Sequence, residues 1–561
     1  MNLPDEWHNP PAEFSLAPFW FWNDALDETE LARQMDEFQA HGVQAFVIHP
    51  RVGLPRDMGW MSDNLLNKMR FAIQQAQKRG MWVILYDEGM YPSGSSSGQV
   101  VAEDAAYQCR GFVRINLETV QPNSIEQGIQ IDENGQPVLQ DYQTLIATVG
   151  NYAIIQRPVQ AVIRGLHYTT EPEEDTPPAI DLLNPEAVHC FIRLVYQRYY
   201  DEFGAYFGNV IQAIFTDEPH LLGRLEETDA IIPGTIDSMA GVNAFLGYDF
   251  TPYLPAVWDD PALRAEYERA LAHVMETTYY AQLYQWCEEH HISLTGHPAE
   301  PDAIHQLRYF HIPGQDIVWR FIEPDAPSAL EGRQSTQAKV ASSAMLHQNR
   351  RRNLNEFCGA YGHELTFEEM RWLAHWLLIR GCNLLVPHAF YYSVRGARYD
   401  ERPPDVGLHS AWWDDRFTQF ARECQRLCWL NTDSEQVCYV GIQGVSWQAA
   451  KICFENQIDF NYILQDEQYA VVIDDETPDP VHIKRLIPQN LFTDVHAPGL
   501  RVRHVRKAGY HWYMLFNEVK TPLTLNIDLP DSMLFSQDAI TAFSGGLTLA
   551  GHEFIVLVQQ G

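Results

Sequence analysis

Positive charge is scarce in this chain: 39 Lys and Arg stand against 74 Asp and Glu, a net charge of −35 over 561 residues. Such a field repels a phosphate backbone and excludes nucleic acid as a partner. It attracts calcium in principle, although an acidic surface serves first to keep a protein soluble. Long apolar runs are missing too. No segment reaches the ~18 apolar residues of a membrane span, and Met1-Asn2-Leu3-Pro4-Asp5-Glu6-Trp7 has neither the basic nor the apolar region of a signal peptide. The nine cysteines are scattered singly between Cys109 and Cys453, with no CxxC. Cys424 and Cys428 share a helical face without a His partner, which is poor ground for zinc. An odd, unpatterned set fits a reducing compartment, so the expectation is a cytoplasmic protein with no membrane partner. HExxH is absent, as is the Gly-Lys-Ser/Thr ending that would make a P-loop of Tyr91-Pro92-Ser93-Gly94-Ser95-Ser96-Ser97-Gly98. That turn, whose N–H groups could face an anion, reads instead as a flexible, polar active-site loop.

What is present is apolar and aromatic. At 46% hydrophobic and 12% aromatic, the chain can bury a sizeable core, which excludes disorder. The 15 Trp and 26 Tyr suit a sugar-binding cleft, or simply a large aromatic core. Strand and helix signals alternate. Apolar, β-branched or aromatic runs at 17–22, 43–48, 81–86, 210–215, 291–296, 316–319, 353–356 and 383–386 predict eight buried parallel strands. Leu31, Met35 and Phe38 share one face of a helix that Asn23 or Asp24 caps and His41-Gly42 ends. Further helices are predicted from Ser62 to Arg79-Gly80, over 185–203, up to 290, and over 335–349, 367–380 and 416–430.

Two stretches interrupt the rhythm. Residues 110–175 carry β-like segments and turns such as Glu133-Asn134-Gly135, with a polar, Pro-rich connector over 171–178; a second excursion covers 221–261. Eight strand–helix units within 1–430 predict an α/β fold, a (β/α)8 TIM barrel with a β-rich insertion over 110–175 after the third strand. An open doubly wound sheet is the alternative, but rarely needs so many consecutive units. A short α/β module over 431–490 follows, then a small all-β domain over 491–561 with a turn at Ser544-Gly545-Gly546.

In such a barrel the carboxyl ends of the strands converge on one face, whatever their sequence separation. The polar residues there are His49 and Arg51, Asp87 and Glu88, Asp217 and Glu218, His297 and Glu300, Glu356, and His388. The most telling stretch is Val210-Ile211-Gln212-Ala213-Ile214-Phe215-Thr216-Asp217-Glu218-Pro219, an apolar run that ends in acid before a Pro stops the ladder. Carboxylates dominate the set, and no Ser or Cys sits in a triad-like setting. Two carboxylates across a cleft suit glycosidic bond cleavage, in which one protonates the departing oxygen and the other activates water or attacks the sugar. By position Glu218 and Glu356 are the pair; singly, each acid would read as a salt-bridge or capping partner. His49, His297 and His388 read as hydrogen-bond partners for hydroxyls, while the His and acid set also leaves room for a metal-dependent hydrolase or isomerase. Of Tyr391 and Tyr392, either one faces the cleft and stacks on a sugar or both pack beneath the loop. The charged run after them, from Arg395 to Arg402, reads as a salt-bridged rim.

Several segments resemble glycoside hydrolase family 106, the α-L-rhamnosidase type. They are Pro18-Phe19-Trp20-Phe21-Trp22-Asn23, Phe46-Val47-Ile48-His49-Pro50-Arg51, Tyr86-Asp87-Glu88, Phe215-Thr216-Asp217-Glu218-Pro219, Gly296-His297 and Pro387-His388-Ala389-Phe390-Tyr391-Tyr392-Ser393. The resemblance implies a (β/α)8 barrel and an inverting mechanism, with Glu218 as general acid, Glu356 as base, and calcium near the sugar hydroxyls through unassigned ligands. The tail after residue 430 is shorter than in that family, which leaves the rhamnose specificity open. The expected function is an exo-acting, α-L-rhamnosidase-like glycosidase working on a small oligosaccharide or glycoside, with homo-oligomerisation left open. No cofactor is required for the chemistry itself. The alternatives are a β-galactosidase-like barrel enzyme and a non-catalytic sugar-binding protein.

Overall fold

The computed structural model describes residues 3–167, 176–225, 230–492, 494–536, 539–543 and 545–561. Most of the connector expected over 171–178, and Ser544 of the C-terminal turn, lie outside the described residues.

Nine parallel strands form one nearly closed barrel sheet. They are β1 (Phe19–Trp22), β2 (Ala45–Pro50), β3 (Trp82–Tyr86), β4 (Ile211–Asp217), β5 (Ser293–His297), β6 (Ile312–Val318), β7 (Leu354–Gly359), β8 (Leu384–Pro387) and β9 (Phe390–Tyr391). Neighbours in the sheet are neighbours in sequence from β1 to β8, and β9 returns to pair with β1 through Trp20↔Phe390 and Phe21↔Tyr391. The open-sheet alternative is therefore excluded. Side chains alternate between two buried environments, which is why the strands read as unbroken apolar runs. Phe19, Phe21, Val47, Ile84, Tyr86, Phe215, Val386 and Tyr391 fill the interior. Trp20, Trp22, Phe46, Ile48, Val83 and Leu85 face the helices.

Strand ends run past their last apolar residue. The ladder of β2 continues through His49 and Pro50, and that of β4 through Thr216 and Asp217, which pairs with His297 of β5. Hydrogen bonding by the backbone ignores side-chain polarity, so apolar patterning cuts such strands short. The start of β6 lies four residues before the expected 316, because Pro313 and Gly314 disguise it. Gly314 is needed there: a Cβ would run into the carbonyl oxygens of Gly296 and Leu354. Gly296, at φ +111°, would bring a Cβ onto the backbone of Thr216. Two glycines thus let β4, β5, β6 and β7 approach closely below the site.

The surrounding helices follow the sequence with one correction. The first runs Glu28–Ala40 and is capped by Asp27, whose side chain accepts from Glu30 N, rather than by Asn23 or Asp24. Those two are engaged elsewhere: Asn23 bonds the backbone of Ser393, and Asp24 pairs with Arg395 at 2.7 Å. Ser62 caps Asp63–Arg79 and Gly80 ends it at φ +67°, as expected. Two helices carry single π turns, Arg193–Gln197 and Glu276–Tyr280. The insertion forms a four-stranded sheet, but one of its strands, Ile231–Pro233, comes from the later excursion and pairs with Arg110–Asn116.

After the barrel, Val440–Ile442 lies between Phe460–Tyr462 and Val471–Ile473 in a small parallel sheet. It docks through buried Lys339, whose Nζ lies 3.1 Å from Asp459 and 3.3 Å from Asn461. The C-terminal strands form a six-stranded sheet, built mainly on Leu500–Lys507, Tyr510–Asn517 and Phe554–Gln560, and a two-stranded one. All nine cysteines are free. Among the described residues, no helix is long and apolar enough to cross a membrane.

The β domain is bound to the barrel by a buried charge cluster. One carboxylate oxygen of Glu518 accepts from Arg380 Nη2 at 3.0 Å and from Arg501 Nε at 3.1 Å, while Arg380 lies 4.0 Å over the ring of Trp376. Removing the acid strands two guanidinia in the interior. Glu518→Ala is expected to cost about 3–5 kcal/mol, read as a lowered denaturation midpoint and early proteolytic release of the C-terminal strands. An unchanged midpoint would show the cluster to be energetically neutral.

Candidate active site

The strand ends line a half-open pocket whose water-accessible cavity is about 50 Å³. His49, Arg51, Asp217, Glu218, Glu356 and His388 line it, as expected, together with Phe19, Tyr91, Asp316, Trp319 and Arg402.

Asp217 is the last residue of β4, and Glu218 turns out of the strand in a left-handed conformation, φ +34°. That conformation is uncommon outside glycine and turns the chain away from the sheet ladder. His297, at the end of β5, places Nε2 3.1 Å from Asp217 Oδ1 and 3.3 Å from Glu356 Oε2, with Nδ1 3.2 Å from the carbonyl of Pro298. Both ring nitrogens face acceptors, which suits an imidazolium. Burial works against this charge, yet Asp217 and Glu356 hold the His297 pKa well above its ordinary value. Burial likewise opposes ionisation of Asp217, but His297 and the phenol of Tyr86, which donates to Oδ2, keep it below the usual carboxylate range.

The other acids move the opposite way. Burial, reinforced by the charges of Asp217 and Glu356, pushes Glu218 up to about 8. Burial raises Glu356 to about 7 against the pull of His297. Asp316, paired in register with Glu356 across β6 and β7, is raised well above its ordinary value by burial and by Glu356. His49 and His388 are driven well below theirs by burial and by Arg51, so both are neutral. Neighbouring carboxyl groups with separated affinities are the arrangement from which an acid and a base are made.

Five expected site residues lie elsewhere. Glu88 accepts backbone N–H bonds from Gly89, Ser95, Ser96 and Ser97 at 2.5–2.8 Å. The acceptor facing the Gly/Ser turn is thus the chain's own Glu88 carboxyl group, and the loop is clamped rather than free. Asp87 accepts from Ser93 Oγ and from Tyr196 OH beneath the pocket. Burial has raised Asp87 to about 7 and Glu88 to about 8. Glu300 is an exposed rim residue, 2.8 Å from Arg333, because β5 ends at His297 and the chain then leaves the barrel. Tyr391 and Tyr392 pack beneath the loop: Tyr391 OH donates to the carbonyls of Glu401 and Arg402, and Tyr392 OH to that of Ala25. Pairing with β1 turns the Tyr391 ring into the barrel interior and leaves Tyr392 packed on the helix side.

Asp316 and Trp319 lie outside the expected set, and Tyr91 and Arg402 belong to it only as parts of the loop and the rim. Asp316 was legible as a lone acid in an otherwise apolar strand. Trp319, half exposed with Arg402 stacked 4.5 Å from its ring, carried no signal, because its left-handed backbone places it beyond the strand.

A cation could meet Asp217, His297 and Glu356, whose ligand atoms lie within 4.8 Å of one another. Calcium, the ion implied by the family resemblance, takes six to eight oxygen ligands. This set offers two carboxylates and an imidazole whose nitrogens already face acceptors, so it does not fit calcium.

No family model and no curated protein matches the chain. Solved structures do. A rhamnosidase from Novosphingobium sp. PP1Y superposes with a TM-score of 0.65 at 10% identity, covering 99% of this chain and 83% of the other. A β-galactosidase from Bacillus circulans sp. alkalophilus gives 0.57 at 11% identity over 97% and 100% of the two chains. One from Rahnella sp. R3 gives 0.58 at 8% over 98% and 99%. The chain therefore has a barrel fold that glycosidases also use.

The affinities set the pH dependence. A group acting as acid must hold its proton, so activity through Glu218 falls as pH rises through about 8. A group acting as base must be ionised, so activity through Glu356 falls as pH drops through about 7. The expected kcat/KM profile is a narrow bell between those limbs, belonging to the coupled pair. A flat profile from pH 5 to 9 would exclude both assignments.

Proposed function

We propose that this protein is a glycosidase that hydrolyses O-glycosyl bonds, with Glu218 as general acid and Glu356 as general base. The observation that carries the reading is the pair itself. Two glutamates, one just past the end of β4 and the other within β7, line one pocket, the first held protonated by burial and like charge, the second tethered to a cationic histidine. In this mechanism Glu218 gives its proton to the departing glycosidic oxygen as the bond to the anomeric carbon breaks. Glu356 takes a proton from the incoming water, whose oxygen forms the new bond. Asp217 and His297 orient Glu356, and Trp319 offers a ring on which a sugar face can stack. No step calls on a cofactor.

The finer reading is an inverting, exo-acting, α-L-rhamnosidase-like enzyme on a (β/α)8 barrel, with β8 and β9 as one interrupted strand. A pocket, rather than an open groove, favours removal of a terminal sugar. A cytoplasmic role on short glycosides goes with the nine free cysteines. The second reading is a β-galactosidase-like retaining enzyme in which Glu356 attacks the sugar. It is favoured by near-complete coverage of the β-galactosidase chains, the C-terminal regions included. Inverting pairs stand about 6.5–9.5 Å apart and retaining pairs about 5–5.5 Å.

Turnover of a nitrophenyl glycoside panel is expected, with Glu218→Gln and Glu356→Gln each lowering kcat by about 10²–10⁴-fold. NMR of the first-formed anomer separates inversion from retention. Near-normal turnover in either variant would remove its assignment, and sugar binding without turnover by the unaltered protein would make it a binding protein.

A further inference from the structure

One wall of the pocket carries a charge opposite to that of the chain. Arg51, Arg164 and Arg402 gather around Tyr91 and Glu401: the guanidinia of Arg51 and Arg164 lie 5.6 and 5.5 Å from the Tyr91 ring, and Arg402 Nε donates to its hydroxyl at 3.1 Å. Exposed Arg224 adds a fourth guanidinium 5.8 Å from the same ring. These residues come from the loop after β2, from the insertion, from the loop after β4 and from the segment after β9. Separate parts of the chain thus deliver cations to one spot in a protein of net charge −35.

Glu401 does not account for them. Arg164 already engages both of its oxygens, with two parallel bonds of 2.8 and 2.9 Å. Arg51 is 1% exposed and lines the pocket, and its Nη2 lies 3.1 Å from Glu401 Oε1; yet neither its Nε nor its Nη2 makes a hydrogen bond. Buried guanidinium N–H groups without acceptors are costly and in need of a partner. Arg402 also lines the pocket, and its only hydrogen bond there goes to the neutral phenol of Tyr91. Three guanidinia beside one carboxylate leave an excess of two positive charges next to the catalytic pair, before Arg224 is counted. The opposite wall, from β4 to β7, holds the acids. The pocket is therefore bipolar, with proton-transfer groups on one side and anion-binding groups on the other.

We propose that the arginine wall is an anion subsite and that the natural glycoside carries a carboxylate or sulfate on one of the two rings joined by the scissile bond. The inference rests on the glycosidase reading and specifies its substrate. Arginine forks match both groups, which share planar or tetrahedral arrays of acceptor oxygens. A neutral sugar could accept from the Arg51 donors through its hydroxyls, but only an anion also offsets the positive charge of the wall.

Binding to the Glu218→Gln protein, followed by calorimetry, tests the subsite without turnover. The ligands are galactose and glucose, their uronates and 6-sulfates, and disaccharides whose leaving ring is a hexose or the matching uronate. The expected result is about tenfold tighter binding of the anionic member, equivalent to about 1.4 kcal/mol, for monosaccharides if the group sits on the cleaved ring and for disaccharides alone if it sits on the leaving ring. Uronate preference over sulfate, or the reverse, identifies the group. Adding Arg402→Gln should abolish the preference, weakening the anionic ligands more than the neutral ones; Arg51→Gln should do the same if it folds, and Arg402 serves if it does not. Equal binding of neutral and anionic partners, no binding of any anionic ligand, or equal weakening of both by Arg402→Gln would overturn the proposal. Selective binding by a protein that hydrolyses nothing would refute the glycosidase reading and keep the subsite. Hydrolysis of neutral and acidic glycosides at equal kcat/KM would do the reverse.

Discussion

The site is organised by the imidazolium of His297 held between Asp217 and Glu356. Two carboxylates brought together in a poorly hydrated pocket repel each other and lose their charge. A cation between them relieves that repulsion at two contacts of 3.1 and 3.3 Å. Asp217 stays ionised as a result, and its charge in turn discourages ionisation of Glu218 beside it. One cation thus holds Asp217 and Glu356 together, and the charge of Asp217 keeps the neighbouring Glu218 protonated. Without the cation, all of these acids would be pushed toward the neutral form, and the difference between donor and acceptor would shrink.

The bridge depends in turn on how closely the backbones approach. Gly296 and Gly314 lie where any side chain would meet a neighbouring strand, so the ends of β4, β5, β6 and β7 close on one another. A second layer fixes the strand ends from below. Tyr196 and Tyr279, both on π turns, reach Asp87 at 2.8 Å and Thr216 at 2.7 Å. A π turn shifts a side chain's azimuth relative to the preceding helix, and here both shifts aim a phenol at the strands that carry acids. The clamp of Glu88 on the 95–97 backbone holds the loop from which Tyr91 reaches the pocket. The C-terminal domain braces the opposite side: Trp372 Nε1 and Arg380 both bond Glu518, on the helix that leads into β8.

Electrostatic contrast is the other organising theme. The surface is acidic overall, the β4–β7 wall of the pocket is acidic, and the wall formed by Tyr91, Arg51 and Arg402 is basic. A low-dielectric pocket with separated charges orients a polar ligand before any contact specific to one sugar is made. The same fields explain why His49 and His388 are neutral while His297 is not. The first two face guanidinia and the third faces carboxylates.

Local chemistry determined a good deal here. The apolar runs set the number and order of the barrel strands, Ser62 and Gly80 set the ends of a helix, and the acids after β4 and within β7 marked Glu218 and Glu356. These were legible because burial on both faces of a parallel strand leaves an unbroken apolar signature, and acids at its end stand out. Tertiary structure alone decided the rest. Asp87 and Glu88 stand at a strand end as Asp217 and Glu218 do, yet their partners are Ser93, Tyr196 and the 95–97 backbone, so they build the floor instead of the site. Glu300 left the barrel because β5 stopped at His297, and Tyr391 turned into the barrel while Tyr392 packed on the helix side because β9 pairs with β1. Asp27 took the cap expected of Asn23 or Asp24 because those side chains were drawn to Ser393 and Arg395, some 370 residues away. Spacing along a chain reports periodicity and burial; it carries no record of which distant group will meet a given carboxylate, and that meeting sets its charge and its role.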